Sequence, residues 1–349
     1  MTSFWSWLQS PEFYVLVGFH LFIILVLAFD LGVLQRQAHV VSLREAAAWS
    51  VVWIGLSLAF AAGIWRFWDA WYPVEADKGA DRAVEFLTDK GADRAVEFLT
   101  GYLIEKSLSV DNLFVFLVIF RYFAVPPHYQ HRILVWGIVG ALVLRAALIL
   151  AGTILLASFH WMIYVFGIFL LYTAFKLLRA QEEQIDPGRN RVLRLLRRFF
   201  PVVDDYDAPH FWMRRDGRLV VTPLFVVLVV IESTDVVFAL DSIPAIFAVT
   251  RDPFIVYTSN VFAILGLRAL YFLLVGFLDK FRYLHVGLAG VLAFVGVKML
   301  VEKPLAPYFQ AHGISERGLI VISLGVVAVI LGAAIAVSLV AGPKPVRNV

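Results

Sequence analysis

Six carboxylates, Asp30, Glu105, Asp111, Glu232, Asp235 and Asp241, stand inside long apolar stretches of this 349-residue chain, and Asn112 and Asn260 add neutral oxygens nearby. A charge at the centre of a membrane-spanning helix costs about 2.5–3.5 kcal/mol on insertion scales, so several together demand a reason. Carboxylate and amide oxygens are hard ligands that suit Mn2+, Mg2+ or Ca2+, whereas zinc and copper sites recruit His or Cys. The chain contains no cysteine, which removes disulfides, thiolate sites and dithiol chemistry together. The candidate metal ligands are therefore Glu105, Asp111, Asn112, Glu232, Asp235 and Asp241, with Asp30 and Asn260 along a pathway. Against the six acids stand four bases in apolar surroundings, Lys106, Arg145, Arg268 and Lys298. Full ionisation leaves a deficit of two charges, which one divalent cation or two protons would fill. Lys106, Arg145 and Arg268 read as structural counter-ions.

Spacing gathers these groups only in part. Glu232 and Asp235 are three apart and share a helix face, as do Glu105 and Asn112 seven apart, but Glu105 and Asp111 point away from one another on a straight helix. A helix break would reconcile them, and Asp241–Ser242–Ile243–Pro244 is a candidate because proline removes an amide donor and frees a carbonyl. The eight histidines show no paired spacing on a helix and read as satisfied polar residues. No phosphate-binding loop occurs. Moving a divalent cation outward against 100 mV requires about 4.6 kcal/mol, so export would need coupling, and proton antiport is the simplest form. Two other classes fit less of the pattern: a membrane scaffold or accessory protein in which the buried charges are structural pairs, and an intramembrane carboxylate protease. Neutralising the acids separates scaffold from carrier, since a scaffold tolerates isosteric amides better.

These side chains need elements that hold them in lipid. The apolar fraction is 61% and mean hydropathy is +0.81, outside the range of soluble domains. Nine apolar runs have spanning length: Pro11 to Leu34, Leu43 to Trp65, Phe98 to Phe120, Ile133 to Phe159, His160 to Leu178, Thr222 to Val249, Phe254 to Leu278, Leu284 to Leu300 and Leu319 to Val340. The expected fold is all-α, a polytopic transmembrane helix bundle of about nine spans. Basic residues collect on one side, with ten Lys or Arg between Lys176 and Arg218, which places that side and the C-terminus in the cytoplasm and the N-terminus outside. Their placement in loops gives no reason to expect nucleic acid. The chain divides into residues 1–97 with two spans and an outer loop, 98–180 as a first three-helix unit, 181–221 as a basic cytoplasmic linker, 222–302 as a second unit, and 303–349 as the last span and tail. Two repeats are present. DKGADRAVEFLT occurs at Asp77 to Thr88 and again at Asp89 to Thr100, and reads as a tolerated loop duplication. More informative, Glu105 and Asp111 have the six-residue separation of Asp235 and Asp241, and each pair is followed by a central Leu-Arg-Ala, at Arg145 and Arg268. The units begin three spans apart, an odd offset that predicts an inverted repeat with substrate near the midplane.

Three segments, Gly101 to Phe116 (GYLIEKSLSVDNLFVF), Ile231 to Ala248 (IESTDVVFALDSIPAIFA) and Thr258 to Phe272 (TSNVFAILGLRALYF), resemble the TerC family of integral membrane proteins, specifically its Alx-like branch. The likeness extends from Asp30-Leu-Gly-Val to about Lys298. It implies efflux of Mn2+ as transported substrate, tolerance of excess metal or alkaline stress, tellurium resistance as the source of the family name, and association with exported metalloproteins or secretion machinery. No permanently bound cofactor is implied. The partners expected are the lipid bilayer, the divalent cation and protons, and the location a bacterial inner membrane. The matching acids are Glu105, Asp111, Glu232, Asp235 and Asp241; the duplicated segment departs from the family pattern.

Overall fold

The computed structural model describes residues 11–32, 42–71, 90–179, 191–202, 210–215, 218–275, 283–312 and 316–341. Almost all of these are helical: α1 (Pro11–Gly32), α2 (Leu43–Trp71), α3 (Lys90–Tyr122), α4 (Pro127–Ser158), α5 (Met162–Arg179), the short α6 (Arg191–Phe199), α7 (Pro223–Phe247), α8 (Pro253–Leu265), α9 (Leu267–Val275), α10 (Leu284–Ala311) and α11 (Glu316–Ala341). A two-stranded antiparallel hairpin, β1 (Trp212–Arg215) and β2 (Arg218–Val221), lies between α6 and α7. Each expected span coincides with a helix or helix pair. Among the described residues, α2, α4, α5, α7, α10 and α11 are long and apolar enough to cross a bilayer, and α8 with α9 makes a seventh span if that pair, bent by 41°, counts as one.

Local chemistry sets the ends. Proline opens α4, α7 and α8, where its missing amide is no loss. Asp252 caps α8, its Oδ1 accepting from the amides of Phe254 at 2.9 Å and Ile255 at 3.2 Å. At the other end of α3, Ala124 adopts a left-handed φ of 49°, and the Val125 amide bonds the Phe120 carbonyl at 2.9 Å, a closing turn that Pro126 and Pro127 prevent from continuing.

Two features differ from the sequence reading. The third span begins at Lys90 rather than Phe98, because Arg94 and Glu97 are paired within the bundle instead of lying in a loop. The break falls at Gly266, between α8 and α9, and not at Asp241–Pro244. Pro244 lies inside α7, which runs on to Phe247: proline leaves the Leu240 carbonyl without its amide donor, but the Ala248 amide still bonds the Pro244 carbonyl at 3.2 Å and the helix is not broken.

The helices pack as two interlocked halves. α3 rests on α8 and α4 on α7, while α5 lies along α10. Exchanging α3–α4–α5 with α7–α8/α9–α10 maps each of these pairings onto another or onto itself. At the α5–α10 crossing the backbones come close: a Cβ at Gly296 would lie 2.9 Å from the Gly167 carbonyl oxygen, and one at Gly167 would lie 3.1 Å from the Gly296 carbonyl oxygen. Only small residues admit this approach in a membrane bundle. Large side chains such as Val143, Leu150, Ile168 and Val329 are exposed on the spanning helices, as expected of surfaces that face lipid.

Candidate functional site

Arg145, near the middle of α4, is 1% exposed and joins four helices. Its Nη2 donates to Asp235 Oδ1 at 3.1 Å and its Nε to Asp235 Oδ2 at 3.3 Å, the two-pronged geometry that suits a planar guanidinium. Nη1 donates to Asn260 Oδ1 at 3.1 Å and reaches Ser242 Oγ at 3.5 Å. The same Nη1 is ion-paired with Glu105 of α3. Glu105, Asp235, Asn260 and Ser242 are all buried. Local backbone bonds satisfy the nearby hydroxyls: Ser109 Oγ donates to the Glu105 carbonyl at 2.7 Å and Ser259 Oγ to the Val256 carbonyl at 3.1 Å.

The cluster is electrostatically unbalanced. Two carboxylates share one guanidinium, leaving one net negative charge when all are ionised. Glu232, one turn from Asp235, adds a third carboxylate on the same side of α7. It lies against the bare backbone of α4, where a Cβ at Gly140 would collide with the carboxylate and one at Gly137 would lie 3.9 Å from its Oε1. These glycines carry no mark in the sequence, and Ser242 stands out there only as part of a candidate helix break. Glycine within a span signals close approach, but its partner is visible only once α4 and α7 are docked.

The remaining predicted residues are dispersed. Asp241, six residues beyond Asp235 on α7, turns to α5 and accepts from Thr173 Oγ1 at 3.1 Å. Asn112 is buried on α3, seven residues from Glu105. Lys106 lies on another face of α3 and donates to the Ala263 carbonyl at 3.1 Å, beside the Gly266 break. Arg268, just past that break, is 2.7 Å from His131 Nε2 through its Nη1. His20 bonds the Leu16 carbonyl at 2.8 Å and the Tyr257 hydroxyl at 3.1 Å. The side chains of Asp30 and Asp111, and the first copy of the duplicated segment, lie outside the described residues. Among the described residues, no three His, Asp or Glu side chains converge as a ready-made metal cage. What the fold brings together from the predicted set is Glu105, Asp235 and Asn260 around Arg145, with Glu232 one turn away.

A helical bundle with several apolar spans and a buried charge cluster at mid-depth defines a multi-pass integral membrane protein. Residues 90–344 match the integral membrane protein TerC family, and the chain belongs to that family. The match starts at the residue where α3 starts. The chain is 47% identical over 323 residues to an uncharacterized membrane protein, STKORF319, of Myxococcus xanthus, covering 93% of this chain and 91% of that one. It is 48% identical over 288 residues to the putative membrane-bound redox modulator Alx of Escherichia coli strain K12, covering 81% and 84%. It is 46% identical over 305 residues to the chloroplastic thylakoid membrane protein TERC of Arabidopsis thaliana, covering 87% and 70%. No solved structure matches the chain.

Proposed function

We propose that the protein is a secondary transporter that exports a hard divalent cation, Mn2+ foremost, in exchange for protons. One observation carries the reading: Glu105 is fully buried and shares a single guanidinium with Asp235, so two buried carboxylates face one cation. A second buried carboxylate on one guanidinium is an acceptor for a further cation or a proton. Asn260 supplies a neutral oxygen at the same place, and Glu232 stands one turn away. On this reading Arg145 holds the carboxylates while no substrate is bound and yields part of that bonding when the cation enters. A proton arriving on a carboxylate lowers its hold on the cation, which supplies the exchange.

The exchange-symmetric pairing of α3–α8 with α4–α7 supports an inverted repeat with the site between its halves. We also take α1 and α3 to span, which gives nine spans, with the arginine-rich face cytoplasmic, the N-terminus outside, and a bacterial inner membrane as the location. A second reading is favoured by the same ion pairs: a membrane accessory protein whose buried charges lock the bundle. The name of the Escherichia coli relative adds a redox effect to that reading, and in this cysteine-free chain such an effect would run through something other than its own thiols.

Proteoliposomes carrying a proton gradient decide between them. The transport reading expects Mn2+ flux in the native protein and its loss, by about a hundredfold or more, in Glu105→Gln and Asp235→Asn at equal incorporation. Native protein that moves neither Mn2+, Mg2+ nor Ca2+ above empty liposomes discards the transporter and leaves the accessory reading.

A further inference from the structure

The second copy of the duplicated segment forms the opening turns of α3 and ties that helix to the α7–α8 turn. Glu97 is 8% exposed and accepts from Arg94 Nη1 at 2.7 Å and from Thr250 Oγ1 at 2.6 Å. Arg94 also reaches Thr250 Oγ1 at 3.4 Å and Asp252 Oδ2 at 3.9 Å, and its guanidinium carbon lies 5.6 Å from the ring centre of Trp68 on α2. Thr250 Oγ1 accepts the Asp252 amide at 3.2 Å, and Asp252 is the residue that caps α8. One small network thus fastens α2, α3 and the start of α8, the helix that carries Asn260.

The network sits directly above the charge cluster. Glu97, Gly101 and Glu105 follow one stripe of α3 at four-residue spacing, and Glu97 lies about 12 Å from Glu105 along the axis at 1.5 Å per residue. Between them α3 comes close to α8 and to the end of α7, since a Cβ at Gly101 would lie 2.9 Å from Ser259 Oγ and 3.5 Å from a methyl of Ile246. The buried rings of Phe98 and Phe262 add an apolar contact between the two helices, 5.6 Å between centres, while at the start of α3 the contact is held by charge-assisted bonds from a partly exposed arginine, which water can replace.

We propose that Arg94, Glu97, Thr250 and Asp252 form the latch of a gate on the face opposite the arginine-rich one. Closed, it holds the α7–α8 turn on α3 and shuts Ser259 and the Arg145 cluster away from that side. Released, it lets the turn leave α3 and opens the cluster to solvent there. The purpose of the gate rests on the transport reading, but its motion can be measured without any substrate.

Because the chain has no cysteine, Ser259→Cys introduces a single thiol. With the latch intact, its modification by a membrane-impermeant maleimide in sealed vesicles is slow. Adding Glu97→Gln or Thr250→Val is expected to speed it about tenfold or more, the size of shift that losing one charge-assisted bond gives to a closed-to-open ratio. Ala174→Cys, buried in α5 away from the latch, should keep its rate in the same backgrounds. Ser259→Cys labelling unchanged in both latch variants overturns the gate, and so does an equal rise at Ala174→Cys, which marks a loosened bundle. Faster labelling at Ser259→Cys alone, in a protein that fails to move Mn2+, sustains the gate and sinks the transport reading instead.

Discussion

Arg145 and Arg268 have the same sequence surroundings, Leu-Arg-Ala in an apolar span, yet the fold uses them differently. Arg145 stands in the unbroken α4 and is held by two carboxylates, an amide and a hydroxyl from three other helices. Arg268 begins a short helix just after a bend and points one nitrogen at His131. The first half thus supplies a fixed anchor and the second half supplies a joint. The Lys106 ammonium braces that joint on the Ala263 carbonyl, in space that Gly266 leaves free, since a Cβ there would come within 2.5 Å of the Lys106 nitrogen.

The strongest way to break the comparison is at the anchor. Arg145→Met leaves Glu105 and Asp235 buried without their shared cation, and should cost about 3–5 kcal/mol, seen as loss of folded protein or a collapsed melting temperature in detergent. Arg268→Met should cost clearly less in the same melting experiment; equal losses would mean that the two arginines anchor the fold alike. Next in size is the seam between halves. Gly296→Ala pushes a methyl against the Gly167 carbonyl and should destabilise by about 1–3 kcal/mol. Gly325→Ala, with open space around it, should change the melting temperature little or raise it slightly. The smallest effect belongs to the proline. Pro244→Ala should shift stability by about 1 kcal/mol or less, because α7 is already unbroken around the proline and a single backbone bond, to the Leu240 carbonyl, is at stake, whereas Gly266→Ala displaces Lys106 and should alter transport or trypsin sensitivity at the α8–α9 bend.

The helical class and the helix locations were legible from apolar run length, and the acids as a set stood out because charge in an apolar run is expensive and must be answered within the bundle; which two of them meet at Arg145 was not legible. Arg145 as counter-ion followed from that count. The true start of α3 was not legible, since Lys90, Asp93, Arg94 and Glu97 look like loop until Thr250 and Asp252 are brought across from residues some 150 positions later. The break is hidden for a related reason: proline advertises itself in sequence, while at Gly266 the Ala263 carbonyl is met by a lysine from another helix. The room at Gly140 for Glu232 is likewise a property of two docked surfaces and of neither alone.

The ion triad also has a history written into chain order. Arg145 follows Glu105 by a single helix hairpin, but Asp235 comes 90 residues after Arg145, several seconds later at synthesis rates of about 5–20 residues per second. The nascent first half can therefore enter the bilayer with Glu105 and Arg145 already neutralising one another. The excess negative charge arises only when the second half docks. A partly made chain would have little hold on divalent ions, and the finished protein acquires that capacity as a late step of its own biogenesis.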